Sequence, residues 1–254
     1  MLDKLWLWRG IEMLIMDAGN SRVKFAVFKE DKIVRRLFCD TKECLDIDYL
    51  RSQILSISSG DALAFSSVIP EITREVMSLS HAEGIECFNV SYASEKILKI
   101  DYNIEQLGGD RLASAVAGYR KYGTPLLVVD FGTATTYNII LPNAIFAGGI
   151  IAPGIKSSID FLINRTGLLP EIPLEYPETF PGHNSKQALT GGFFYTFSGQ
   201  MKEISQKVRD FIDGDYKTIG TGGLLDFALS EFPDIIPDKD LTFLGIKLLY
   251  EANG

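Results

Sequence analysis

Histidine and cysteine are scarce in this chain. There are only His81 and His183, and the cysteines are Cys39, Cys44 and Cys87. No C-x-x-C pair occurs and the two histidines are isolated, which argues against a zinc site of the usual nitrogen and sulfur ligands. An odd, dispersed set of cysteines does not read as a disulfide framework and points to a reducing, cytoplasmic setting. Basic charge is in deficit as well, with 25 Lys and Arg against 33 Asp and Glu, a net charge of −8. Such a surface repels polyanions, so nucleic acid is not an expected partner. Long apolar runs are missing. The most apolar stretch near the start, Leu5 to Trp8, is flanked by Asp3, Lys4, Arg9 and Glu12, too short and too charged to span or enter a membrane as a signal segment. Three catalytic signatures are also absent: the G-x-x-x-x-G-K-[ST] phosphate loop, the G-x-G-x-x-G dinucleotide fingerprint and the G-x-S-x-G nucleophile elbow.

What the chain does contain is a weak internal repeat. Residues 14–20 read LIMDAGN and residues 127–133 read LVVDFGT. Each is an apolar run, an aspartate, one further residue, a glycine and a small polar residue, and each is followed by another strand-like segment, Val23 to Phe28 and Tyr137 to Leu141. A length of 254 residues accommodates two lobes of about 100–150 residues. The repeat therefore predicts an α/β protein of two lobes, residues 13–123 and 124–254, each opening with strand, tight turn and strand, with residues 1–12 as an N-terminal extension. A glycine in such a turn permits close approach of a ligand, and successive backbone N–H groups there form an anion-binding nest. An aspartate cannot meet a phosphate directly. It would act through a cation or an ordered water.

The remaining pattern fills both lobes with alternating strands and helices, the sign of an α/β sheet in each. In the first lobe, strands are expected at 33–38, 62–66 and 85–90, and helices at 49–56, from Pro70, and over 107–122. In the second, a strand at 145–150 precedes a helix at 155–163. Residues 168–182 carry four prolines and read as an extended loop. A long helix is expected over 186–212, a strand at 216–220, a helix after Gly223, and a last helix over 241–250.

The stretch Tyr102 to Arg111, YNIEQLGGDR, is the richest in chemistry. Gly108 and Gly109 leave room for a substrate against the backbone. Asp110 and Arg111 follow at a predicted helix start, where N–H groups and the helix dipole favour an anion. Asp110 suits the acceptance of a proton from a hydroxyl, and Arg111 suits a substrate carboxylate. The same residues also fit a capped surface helix. In Asp130 to Thr136, Thr133 is placed to donate to a phosphate oxygen, and Thr135 and Thr136 must face opposite sides of the strand. Gly148 to Gly154 and Thr221 to Gly223 are turn-like, and Phe193 to Phe197 with neighbouring glycines suits core packing or a subunit interface.

Taken in order, DAGNSRVK (17–24), the segment ending in GGDR (108–111), DFGTATT (130–136), GGIIAPG (148–154), NSKQALTGG (184–192) and TGG (221–223) resemble the type III pantothenate kinases. The resemblance spans nearly everything from Met13 onward. It implies a duplicated actin/Hsp70/hexokinase-like (ribonuclease H-like) fold with an ATP cleft between the lobes, and transfer of phosphate from ATP to pantothenate, the first step of coenzyme A synthesis. It further implies that Asp17, Ala18, Gly19, Asn20, Ser21, Arg22, Val23 and Lys24 form a first phosphate loop near Mg²⁺-ATP, and that Thr133 contacts ATP from a second. Asp110 would be the general base. Tyr102, Gly108, Gly109, Asp110, Arg111 and Ser185 would hold pantothenate. Asp130 would bind a monovalent cation, K⁺ or NH₄⁺, and the enzyme would be a homodimer with its substrate site at the interface. Ser21 and Ser185 stand where the family usually has Thr, each keeping a hydroxyl, and Ile104 stands where Pro is common. The alternatives within the same fold are a sugar kinase, a phosphatase or a non-catalytic regulatory paralogue. The presence of Asp17, Asp110, Arg111 and Asp130 together argues against the last.

Overall fold

The computed structural model describes residues 12–57 and 62–254. Of the expected N-terminal extension, only Glu12 lies within the described residues, as the first residue of β1 (Glu12–Ala18). The chain forms two compact units, Met1–Lys121 with Asp240–Gly254, and Tyr122–Lys239.

In the first unit, β1 turns into β2 (Arg22–Lys29) and β3 (Lys32–Asp40) as an antiparallel meander. After α1 (Ile47–Ile57), β4 (Ala62–Ser67) returns parallel to β1, and α2 (Pro70–Glu83) leads to β5 (Glu86–Asn89), parallel to β4. The sheet order is β3-β2-β1-β4-β5. Alternation along β1 sorts its side chains onto two faces. Leu14, Met16 and Ala18 join Val23, Phe25, Leu63 and Phe65 in a core closed by Leu50 and Ile54 of α1 and by Ile72 and Val76 of α2. Met13, Ile15 and Asp17 lie on the opposite face. A short strand β6 (Lys99–Ile100) and a 3₁₀ turn, Ile104–Gln106, lead into α3 (Gly109–Tyr122), which is buried from Arg111 to Gly118.

The second unit repeats this plan. The meander is β7 (Leu126–Phe131), β8 (Ala134–Leu141) and β9 (Ile145–Pro153), followed by α4 (Ile155–Arg165) and the long α5 (Ser185–Ile212). Then β10 (Lys217–Thr221) runs parallel to β7, α6 (Leu225–Glu231) follows, and β11 (Ile236–Pro237) runs parallel to β10. The order β9-β8-β7-β10-β11 matches β3-β2-β1-β4-β5 strand for strand. The repeat in the sequence is thus a repeat of topology, with the two D-x-G segments at the two equivalent first turns. The proline-rich residues 168–182 carry no helix or strand.

One expected boundary is corrected. The last helix, α7 (Leu241–Asn253), belongs to the first unit and not to the second. It packs on β1 and β4. Gly245 lies so close to α3 that a Cβ there would overlap the Ala113 carbonyl, and Ser114 and Thr242 hydroxyls are 3.0 Å apart between these helices. Small residues at both contact points let the two helices approach closely. Nothing in the local pattern of α7 says which sheet it will cover, so linear order suggested the wrong lobe.

Candidate active site

In the first unit a polar row crosses the sheet at the level where β1 ends. Register pairs Asp17 with Lys24 on β2 and with Ser66 on β4. Lys24 Nζ donates to Asp17 Oδ2 at 3.2 Å, and Asp17 is only 7% exposed. A carboxylate so buried needs a counter-charge, and the lysine supplies it from the neighbouring strand. The turn between β1 and β2 is closed by Gly19 N donating to Arg22 O at 3.0 Å, leaving Asn20, Ser21 and Arg22 exposed.

The start of α3 meets the same row. A Cβ on Gly109 would stand 2.7 Å from the Val90 carbonyl and 2.8 Å from Ser66 Oγ, and one on Gly108 would stand 2.6 Å from Asp110 Oδ1. Both positions are glycine because the helix start sits directly on the strand end and the Asp110 carboxylate folds back over residue 108. Asp110 is held above the usual carboxylate range. Burial is the largest cause, and the negative charge of Asp17 adds to it. The Arg111 amide, which donates to Asp110 Oδ1 at 2.8 Å, and the Arg111 charge oppose the shift. Arg111 is buried, and its guanidinium lies over the Tyr102 ring at 5.4 Å. Ile104, in place of proline, begins the 3₁₀ turn, and Tyr102 still reaches Arg111. Thus Tyr102, Gly108, Gly109, Asp110, Arg111, Asp17 and Lys24 come together within one unit. The result is a carboxyl of raised proton affinity beside a guanidinium and a lysine-paired carboxylate, a set suited to accepting a proton while binding an anionic substrate.

Two residues of this site escaped the sequence reading. Ser66 is buried, and its hydroxyl has no hydrogen-bond partner among the described residues. The signal was the pair Ser66-Ser67 ending an otherwise apolar strand. Thr41, after β3, donates its hydroxyl to Gly19 O at 2.7 Å and its amide to Ser21 O at 3.2 Å. No local pattern marks it.

In the second unit three separate motifs converge. Asp130 is the penultimate residue of β7, and Gly132 N donates to Ala134 O at 3.1 Å to close the following turn. The Thr133 carbonyl accepts from Gly154 N at 3.0 Å and from Ser157 Oγ at 2.8 Å, while a Cβ on Gly154 would overlap the Gly132 carbonyl. Gly222, at φ +97°, packs where a Cβ would overlap Asp130 Oδ1, and Leu224 N donates to Phe131 O at 3.0 Å. Segments 130–136, 148–154 and 221–223 therefore form one loop cluster, with Thr133 exposed, Thr135 buried and Thr136 half-buried. The alternation expected for the threonines holds, and Thr135 faces the interior. The Asp130 carboxylate lies beside the turns at Gly132 and Gly222, and a carboxylate is a ligand type that hard cations take. Among the described residues no group of three or more His, Cys, Asp or Glu could hold a metal. Ser185 lies apart from this cluster in sequence, as the exposed first residue of α5, after Asn184, whose side chain caps the helix by accepting from Gln187 N at 3.0 Å.

Residues 13–207 match the family model for type III pantothenate kinase. A type III pantothenate kinase of Geobacillus kaustophilus is 35% identical, covering 95% of this chain and 98% of the relative. One from Brevibacillus brevis is 32% identical, covering 95% and 99%. Among solved structures, a Baf family protein from Campylobacter jejuni superposes with a TM-score of 0.63 at 24% identity, covering 94% of this chain and 98% of its own. The ethanolamine utilization protein EutJ from Carboxydothermus hydrogenoformans gives 0.55 at 14%, covering 94% and 89%. The fold is actin/Hsp70/sugar-kinase-like. With the family model matching more than half of its residues, the chain belongs to the type III pantothenate kinase family.

Proposed function

We propose that this chain transfers the γ-phosphoryl group of ATP to the terminal hydroxyl of pantothenate, opening coenzyme A synthesis in the cytoplasm. The observation that carries the mechanism is Asp110: a carboxyl at a helix start, raised in proton affinity by burial and by Asp17, with Arg111 and Tyr102 adjoining. Family membership supports the choice of substrate.

Arg111 and Tyr102 bind the pantothenate carboxylate end, and the glycines at 108 and 109 let the helix start, with Asp110, sit directly on the strand end. Asp110 accepts the hydroxyl proton as the new P–O bond forms, and the bond from the bridging oxygen to the γ-phosphorus breaks, its electron pair leaving with ADP. A base with raised proton affinity is better matched to this task near neutral pH than an ordinary aspartate. The turn 17–24 and Thr133 hold phosphate oxygens by N–H and O–H donors. Mg²⁺, arriving with the nucleotide, would neutralise phosphate charge beside Asp17. Asp130 would hold K⁺ or NH₄⁺. Positioning and charge stabilisation supply most of the rate. The active form is a homodimer in which Ser185 touches pantothenate, and the reaction needs neither nucleic acid nor a membrane.

The test is an ADP-release assay on purified protein with pantothenate and a panel of hexoses and N-acetylhexosamines. Turnover with pantothenate alone is expected. Turnover with a sugar and none with pantothenate would replace the reading by a sugar kinase, and rescue of a strain lacking pantothenate kinase checks the result in cells.

A further inference from the structure

We infer that Thr41 is a positioning residue for the first phosphate-binding turn, setting the direction of the amides that meet the ATP phosphates. This rests on the reading of residues 17–24 as a phosphate loop. Asn20, Ser21 and Arg22 are exposed, and Gly19 N donating to Arg22 O closes the turn from its own backbone. Two further carbonyls of the turn, Gly19 O and Ser21 O, are both taken by Thr41, the first by the hydroxyl at 2.7 Å and the second by the amide at 3.2 Å. In a planar trans peptide the C=O and the following N–H point in opposite directions. Fixing the carbonyls of 19 and 21 toward Thr41 therefore aims the amides of Asn20 and Arg22 away from it. Backbone N–H groups so directed in a turn can meet an anion. Gly19 makes this control necessary: without a Cβ its peptide plane rotates at little cost, and a flip would present a carbonyl where an amide is required.

The brace is itself rigid. Thr41 is 4% exposed. Asp40 Oδ1 accepts from Lys42 N at 2.8 Å, closing the turn that carries it. On one side the β3 ladder holds Asp40 opposite Arg22, and on the other Cys44 is sunk in the core. The hydroxyl therefore acts from a fixed point, and it touches the loop, not the substrate.

The experiment compares Thr41→Val, Thr41→Ala and Thr41→Ser with the unaltered full chain, measuring Mg²⁺-ATP binding by calorimetry and KM for ATP and for pantothenate separately. Thr41→Val keeps the shape and removes the donor. KM and Kd for ATP are expected to rise about tenfold, the usual cost of an unmet buried acceptor, with KM for pantothenate within about twofold. Thr41→Ser should restore ATP affinity to within about threefold, since the donor is retained. Thr41→Ala serves where the valine variant does not fold. A folded valine or alanine variant with unaltered ATP affinity overturns the proposal, as does an equal rise in both KM values, or failure of both variants to fold, which would make Thr41 a purely structural residue. Because ATP binding is read directly, a chain that binds ATP but does not phosphorylate pantothenate would sink the substrate assignment and leave the role of Thr41 standing. A chain that binds no ATP sinks both.

Discussion

At the scale of single residues, Asp110 stands under two demands, and they pull in opposite directions. Its carboxylate is half-buried and lies near the charge of Asp17, so ionising it costs the folded state. The folded protein holds this proton more tightly than the unfolded chain. The stability that the protonated carboxyl contributes is thus present below the ordinary carboxylate pKa and is lost as pH rises through the raised folded value. Asp110→Asn removes that cost and should raise the melting temperature near neutral pH while cutting kcat by roughly 10²–10⁴-fold. A variant that lost both activity and stability would mark the residue as structural. The same raised affinity predicts that kcat/KM falls about tenfold per pH unit on the acid side, with a midpoint above the usual carboxylate range. The pH–rate profile of the unaltered chain reads it directly. Gly108→Ala tests the setting of this carboxyl. A methyl group 2.6 Å from Asp110 Oδ1 must displace it, so turnover should fall about tenfold or more, with ATP binding measured separately left unchanged.

At the scale of elements, the parts legible in advance were those whose signal is local. An apolar run ending in Asp-x-Gly states both a buried strand and the turn after it, and GGDR states a helix start, although the room its glycines were expected to leave for a substrate is taken by Asp110, Val90 and Ser66. The helices α1, α3 and α5 lie within a few residues of the expected bounds for the same reason. Thr41 and Ser66 were not legible because their roles come from pairing. Thr41 reaches residue 19 only once β3 has folded beside β2, and Ser66 comes level with Asp17 only through the parallel register of β1 and β4. Nothing within a few residues of either position records those neighbours. The contact of α3 with α7 is of the same kind, and it makes a sharp prediction. Gly245→Ala places a methyl into the Ala113 carbonyl, so the helices must separate, at a cost of about 1–3 kcal/mol for overpacking. Thermal or urea unfolding would measure it. An unchanged midpoint would mean that the helices are less tightly apposed than the structure shows.

At the scale of the whole molecule, the chain leaves its first unit at Lys121 and returns to it at Asp240, so the two units differ in how they depend on the C-terminus. Deleting residues 240–254 removes nothing from the strands or helices of the second unit. From the first it takes the buried side chains of Leu241, Phe243, Ile246, Leu249 and Tyr250. At about 1.5–3 kcal/mol for each buried apolar side chain, the loss is on the order of 10 kcal/mol, comparable to the entire stability of a typical domain. It also strips the face of β1 and β4 that α7 covers. Loss of a helix of 13 residues at the far end of the chain should therefore unfold the unit that carries Asp17 and Asp110 and abolish ATP turnover, while Leu126–Phe131 and Lys217–Thr221 keep slow amide exchange. Hydrogen exchange read by mass spectrometry separates the outcomes. Protection lost first in the second unit would show that α7 supports that unit instead, as linear order along the chain suggests.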